Sequence, residues 1–412
     1  MRKLLFISYH FPPALTSESL RALRTTKYLP QWGWEPVVLT VVRKPTAQED
    51  FSLLNELPEK ISIHRAYSLK NRVSDFVLWN LAKLLRWRCL PLYEVEWFPF
   101  AVRKGKKILE REAAQVLISR STPFTSHLVG LKLKSFSGVP WVADFSDLWT
   151  QNPYHKCTGM FGGLDRILER KVASTADRII FTNRFARRLF LSKHKILEDQ
   201  KVRVIPNQYD PENFSKQEKG GKRPETFTIL YTGHLFGIRS PEPIFKALRE
   251  LKDEGGISEE VKLRIVGSVS DKFRYLICRY KLEDVVEIID TMAHKDVLYH
   301  LYSADVLLLI DAPTEGSSPF LPLKLAEYIR VGKPILAITP LEGASAEVVR
   351  STKTGIIVPP NNIDSIKDEI RKFHGQSRSS KLRINPNWNE IYKYSANSCT
   401  RVLASVLEEL VD

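Results

Sequence analysis

Short runs rich in valine, isoleucine, leucine and phenylalanine recur along this chain. Stretches with helical spacing separate them, and the series runs through twice. In the first half the runs are Leu4–Ser8, Pro36–Val42, Gln115–Ser119, Trp141–Asp144, Arg178–Thr182 and Val202–Ile205. In the second they are Thr228–Tyr231, Leu263–Val266, Val286–Ile289, Val306–Ile310, Ile335–Ile338 and Gly355–Val358. Strands that alternate with helices pair in parallel, because each crossover returns the chain to the same end of the sheet. The polar stretch DPENFSKQEKGGKRPET, residues 210–226, interrupts the series. The pattern predicts two Rossmann-like α/β domains: an N-terminal one over 1–208, a linker at 209–226, a C-terminal one over 227–385 and a helical tail over 386–412. A length of 412 residues suits that division. Ligands of open parallel sheets bind beyond the carboxyl ends of the strands, so a cleft between two facing domains is the expected active site. Neither opening turn carries GxGxxG, which argues against a dinucleotide.

Lysine and arginine total 62 against 47 acids, a net charge of +15. Such a balance suits nucleic acid, an anionic membrane surface or phosphate-bearing substrates. No zinc-finger spacing, RNA-binding signature or dense basic tail accompanies it, so nucleic acid is not the expected partner. Cys89, Cys157, Cys278 and Cys399 are scattered without a CxxC pair, which fits reduced thiols and a cytoplasmic setting. The opening MRKLLFISYHFPP reads as a first strand rather than a signal peptide. No stretch of 18 uninterrupted apolar residues predicts a membrane span.

Two segments carry candidate chemistry in the second domain. SSPFLPLKLAEYIRVGKPILAIT, residues 317–339, reads as a proline-rich turn, a helix with Leu325, Tyr328 and Ile329 on its apolar face, a Gly-Lys-Pro stop and a strand. Lys324 falls in the first helical turn, where a cation is unfavourable against the helix dipole unless an anion binds there. Glu327 follows three residues later and could accept hydrogen bonds from vicinal hydroxyls such as those of a ribose. The alternative is a solvated i, i+3 pair worth about 0.2–0.5 kcal/mol. YTGHLFGIRSPEPIFKALREL, residues 231–251, reads as a strand end, a glycine loop and a helix from near Pro241. Gly233 allows close backbone approach, and Arg239 stands where a guanidinium can clamp a pyrophosphate.

These segments, with LRIVG at 263–267, ADVLLL at 304–309 and PLKLAEYIRVGKPILA, resemble the C-terminal domain of the family 4 glycosyltransferases. In the first half SYHFPP, LRALRTTKYLPQWGWEPVVLT, STPFTSHLVGLKLK, PWVADFSDLW and VIPNQYDPENF resemble the family in the same order. The resemblance spans about the whole chain. It implies the GT-B fold, two Rossmann-like domains facing across a cleft with a C-terminal helix. It also implies a retaining, hexosyltransferase-type enzyme of polysaccharide or lipopolysaccharide biosynthesis, with a nucleotide-diphosphate sugar as donor and a glycan or polyprenyl-linked acceptor. On this resemblance Gly233, His234, Leu323, Lys324 and Arg239 hold the donor diphosphate, and Glu327 the ribose. Three positions depart from the family pattern: Pro319 stands for an earlier glutamate, His234 for an arginine and Ser146 for another arginine. No DxD-type motif is present, so no metal and no cofactor is expected.

In the first domain Asp144 and Asp147 follow a strand, where a carboxylate could orient an acceptor hydroxyl or take its proton. An Asx turn or helix cap is the alternative. His127 lies near a helix start and could contact sugar or phosphate, or be structural. Residues 74–107 crowd Trp79, Trp87 and Trp97 among Lys83, Arg86, Arg88, Lys104, Lys106 and Lys107. That segment reads either as an insertion contacting the inner face of an anionic membrane or as a hydrophobic piece packed on the domain. Pro91 and Pro99 break it, which argues against a spanning helix. The rival functions are a non-catalytic nucleotide-sugar-binding or membrane-scaffold protein, and a nucleotide-sugar epimerase on the same fold.

Overall fold

The computed structural model describes residues 1–42, 49–69, 94–152, 159–214, 226–256, 260–312, 318–379, 382 and 384–411. The chain divides into two compact units, Met1–Pro206 with Ala396–Asp412, and Asn207–Ser395.

The first unit carries β1 (Arg2–Ser8), α1 (Ser17–Tyr28), β2 (Trp34–Val41), β3 (Ser62–Ala66), α2 (Phe98–Glu112), β4 (Val116–Arg120), α3 (Thr125–Ser137), β5 (Trp141–Phe145), α4 (Gly159–Thr175), β6 (Arg178–Phe181), α5 (Arg184–Lys193) and β7 (Val202–Val204). Its strands form one parallel sheet in the order β3-β2-β1-β4-β5-β6-β7. Leu4, Leu5, Phe6 and Ile7 are all fully buried, because helices cover both faces of β1. α1 opens at Ser17 because the Thr16 side chain accepts a hydrogen bond from Ser19 N at 3.2 Å.

Of the predicted insertion 74–107, residues 74–93 lie outside the described residues. The remainder packs one face into the core. Trp97 is fully buried, and α2 turns Ala101, Val102, Gly105 and Ile108 inward. Gly105 meets Leu133 so closely that a Cβ there would lie 2.5 Å from its Cδ1. Arg103, Lys104 and Lys107 face outward. The apolar face of α2 is therefore spent on the sheet and on α3. No described helix is long and apolar enough to cross a membrane.

The second unit carries β8 (Phe227–Thr232), α6 (Glu242–Asp253), β9 (Val261–Val266), α7 (Asp271–Arg279), β10 (Val286–Ile289), α8 (His294–Ser303), β11 (Val306–Ile310), α9 (Leu323–Val331), β12 (Ile335–Ile338), α10 (Ala344–Thr352), β13 (Gly355–Val358), α11 (Ile363–Arg378) and α12 (Trp388–Tyr392). Its parallel sheet runs β10-β9-β8-β11-β12-β13. The strand order reverses between β8 and β11, and at such a switch point the crossovers leave a crevice at the carboxyl edge. Tyr209 and Phe214, inside the stretch read as linker, are buried in this unit.

The tail, read as one helical stretch, is two pieces. α12 belongs to the second unit, and α13 (Ala396–Glu408) returns to the first. There Cys399, Leu403, Ala404 and Leu407 pack with Leu4, Phe6, Phe11, Ala22, Leu29 and Trp34.

Candidate functional site

Gly233 closes β8 with φ +103°, a left-handed conformation that favours glycine. Gly267 closes β9 at φ +135°, and a Cβ there would lie 2.3 Å from Gly233 O. The two loops are strapped together: Gly233 N donates to Val266 O at 2.8 Å and Leu235 N to Ser268 O at 2.9 Å. His234 is held at this junction, its Nδ1 2.6 Å from Ser268 Oγ. A bare backbone surface at the switch point results.

α9 delivers its charges to the same edge. Pro322 sets its start in an extended conformation with no side-chain cap, so first-turn amides such as that of Leu323 are left for another acceptor. Lys324 reaches across the end of β8. Its Nζ donates to Thr232 O, lies 3.7 Å from the Tyr231 ring centroid and would be 3.1 Å from a Cβ on Gly233. Burial pushes its ammonium well below the usual lysine range, and the nearby Arg239 guanidinium pushes it the same way; Asp311 and Glu327 oppose both. One turn on, Tyr328 Oη accepts from Thr232 N at 2.9 Å, which satisfies the last amide of β8.

Glu327 is buried and takes a hydrogen bond from His294 Nε2 at 2.8 Å, across from the start of α8. It is not a solvated partner of Lys324. Arg239 is half-buried in the loop before α6. Pro319 is buried next to Ser318, whose N and O bond Glu342 O (3.1 Å) and Ala344 N (2.9 Å). The predicted donor residues Gly233, His234, Leu323, Lys324 and Glu327 thus gather at one edge of this sheet, with Arg239 in electrostatic reach. His294 and Asp311 were missed. Each stands at an element boundary, His294 first in its helix and Asp311 directly after its strand.

In the first unit the outcome differs. Asp144 ends β5 fully buried, with both oxygens taken. Its Oδ1 accepts from Arg21 Nη1 at 2.9 Å, and its Oδ2 from Arg120 Nε and Nη2 at 2.8 and 2.6 Å. Arg120 also donates to Thr25 Oγ1 (3.1 Å), and Arg21 to Ser146 Oγ (3.1 Å), whose hydroxyl donates to Ser121 O (2.7 Å). Burial raises the Asp144 carboxyl, but the two guanidiniums prevail and hold it below the usual carboxylate range. Arg120 itself is lowered to about 10 by burial. A carboxylate so saturated is a poor base, so the expected proton-taking role of Asp144 is corrected: it ties α1, β4 and β5 together. Arg21 and Arg120 went unread. Asp147 lies half-buried in the loop after β5 and keeps the placement expected of it.

His127 is likewise corrected, from a ligand contact to a core group. It is fully buried, with its ring 4.2 Å from that of Phe145. Trp141 Nε1 donates to Ser119 Oγ at 2.8 Å, and that hydroxyl in turn reaches His127 Nδ1 at 2.8 Å. Burial lowers the imidazole from 6.5 to about 3. The unfolded chain therefore binds a proton that the folded chain refuses. The contribution to stability is full above 6.5 and is lost as pH falls towards 3. Going from about pH 7.5 to about pH 5.5 should cost about 1.4 kcal/mol through this residue. Urea titrations should show that loss reduced by the same amount in His127→Asn; equal slopes in both proteins would exclude this assignment.

The family profile described as glycosyl transferases group 1 matches residues 212–387, and the one described as glycosyl transferase 4-like domain matches residues 19–208. A protein of Escherichia coli K12 named as a colanic acid biosynthesis glycosyltransferase, WcaL, is 28% identical over 193 residues, covering 46% of this chain and 47% of that protein. The chain thus spans about half the length of this curated relative. Among solved structures, a glycosyltransferase from Rickettsia africae superposes with a TM-score of 0.67 at 15% identity, covering 100% of this chain and 99% of that one. Anabaena Alr3699/HepE, solved in complex with UDP and glucose, superposes with 0.64 at 14% identity, covering 100% and 97%. At such identities the structures speak to fold alone, and that fold is GT-B. With a glycosyl transferase 4-like domain in its first half and a group 1 domain in its second, this chain belongs to the family 4 glycosyltransferases of the GT-B fold.

Proposed function

We propose that the protein transfers a sugar, with retention, from a nucleotide-diphosphate sugar to a glycan or lipid-linked acceptor in cell-surface polysaccharide biosynthesis. The observation that carries this reading is the half-buried Lys324 ammonium at the uncapped start of α9, directly over the glycine-closed end of β8. A cation partly withdrawn from water costs free energy unless an anion compensates it. A diphosphate supplies that anion, and Arg239 and the α9 amides add donors where leaving-group charge develops. Glu327, oriented by His294, accepts from the ribose hydroxyls. That Anabaena HepE, of like fold, was solved in complex with UDP and glucose supports a nucleotide-sugar donor, and the colanic acid biosynthesis named for WcaL supports the polysaccharide setting. Asp147 is the carboxylate we assign to the acceptor hydroxyl. The donor needs no further cofactor in this scheme.

A thermal-denaturation panel of UDP, GDP, dTDP and CMP sugars tests the reading. A ligand at a hundredfold excess over its Kd adds about 2.7 kcal/mol, which for a unit of this size raises Tm by about 5–10 °C. One nucleotide should do so selectively. Nucleoside diphosphate should then be released only when glycan acceptor is added. Conversion of the donor to its epimer without acceptor, with no net release of nucleoside diphosphate, would favour the epimerase, and no shift with any nucleotide would sink the donor site.

A further inference from the structure

Asp311 follows β11 directly, on the far side of the switch point from Gly233. β11 runs beside β8, Leu307 level with Leu230, and beside β12, Ile310 level with Ile338. This register sets Asp311 between Thr339 and the Gly233 loop, at the edge where Lys324 ends. Its carboxyl is buried. Oδ2 accepts from Thr339 Oγ1 at 3.0 Å, and the Ser345 hydroxyl is shared between this carboxyl and Phe320 O. Oδ1 meets no hydrogen-bond partner among the described residues. An unsatisfied buried carboxylate oxygen is costly and calls for an explanation.

Burial raises the Asp311 carboxyl, and Arg239 from the loop after β8 and Lys324 from α9 pull it the other way. Glu327, the other acid near Lys324, is engaged by His294. Beside Lys324, the Tyr231 hydroxyl donates to His234 O, the Tyr328 hydroxyl meets Thr232, and His234 is turned to Ser268. Two cations therefore act on a carboxylate whose Oδ1 has no hydrogen-bond partner among the described residues. We propose that Asp311 is a positioning residue, the counter-charge that keeps the Lys324 ammonium protonated in the unliganded protein so that it is ready for a phosphate. The inference rests on the donor reading above only for the identity of the anion. In the unliganded state Asp311 offsets part of the desolvation of Lys324. When a diphosphate arrives it takes over that role.

Selective ¹³Cε labelling of lysine in the full chain reads the coupling without any ligand. The Lys324 resonance, assigned by its loss in Lys324→Met, is titrated in wild type and in Asp311→Asn. The amide keeps the size of the side chain and its bond from Thr339 but drops the charge. Lys324 should release its proton in the variant at a proton concentration about tenfold higher. The alkaline limb of UDP affinity, measured by calorimetry, should move with it. Superimposable lysine titrations would overturn the proposal. A moved titration with pH-independent UDP affinity supports it and overturns instead the placement of the diphosphate at Lys324. If Asp311→Asn fails to fold, the ¹³Cγ titration of Asp311 must move upward by a similar factor in Lys324→Met; an unmoved carboxyl would refute the coupling.

Discussion

Asp144→Ala is expected to lower the stability of the first unit by about 3–5 kcal/mol, the usual cost of removing one partner from a buried ion pair. Most of that loss is not the value of the bonds themselves. It is the penalty for leaving the guanidiniums of Arg21 and Arg120, both nearly sealed from solvent, without a counter-ion. Asp144→Asn keeps the shape and part of the hydrogen bonding and should fall between. Adding Arg120→Met to Asp144→Ala removes one orphaned charge and should recover part of the loss, a non-additivity that residues in one network show. Urea unfolding of the four proteins decides the matter. A loss under about 1 kcal/mol in Asp144→Ala, the scale of exposed pairs, would mean that the cluster is hydrated, and the base role for Asp144 would reopen.

Lys324→Ala should weaken UDP by about 1.5–3 kcal/mol, the range for a hydrogen bond to a charged group, or about 10- to 150-fold in Kd. Stability of the unliganded protein should respond differently. The ammonium is desolvated and lies near Arg239, so charge at this point opposes folding. Its removal should leave Tm unchanged or raise it, despite the lost bond to Thr232 O. Loss of affinity without loss of stability marks a group retained for binding, the trade-off expected of functional sites. Calorimetry with UDP and a melting curve supply both numbers. Parallel loss of affinity and Tm would identify Lys324 as a structural cation clamping α9 to β8.

Local periodicity exposed the two sheets and the edge where Gly233, Lys324 and Glu327 gather, because the relevant signals lie close in sequence. Lys324 and Glu327 share one helix, and Gly233 and Arg239 share one loop. The acid cluster of the first unit was illegible for the opposite reason. Arg21 and Asp144 are separated by 123 positions, and only strand order brings α1 to the end of β5. Reading Asp144 as an open carboxylate followed from its place at a strand end, which says where a residue lies but not what else arrives there. Asp311 shows the same limit, since its neighbour Thr339 is reached through register. β3 escaped notice because Ser62–Ala66 is a half-buried edge strand with charged and polar residues, and only Ala66 fully inside. The tail looked continuous because α12 and α13 are separated by only three residues, although they serve different cores.

That last division has a consequence for how the protein can be cut and recombined. The second unit is a single uninterrupted cassette, 207–395, whereas the first is written in two pieces of the gene. Leu403 and Leu407 each bury a full side chain in the first unit, worth about 1.5–3 kcal/mol apiece. A stop codon after the second unit would therefore damage not the neighbouring sheet but the one encoded hundreds of codons upstream. Exchange of the second unit between relatives, by contrast, needs two junctions and leaves every core residue of the first sheet in place. The two units can thus be inherited separately, provided that the final helix travels with the beginning of the chain.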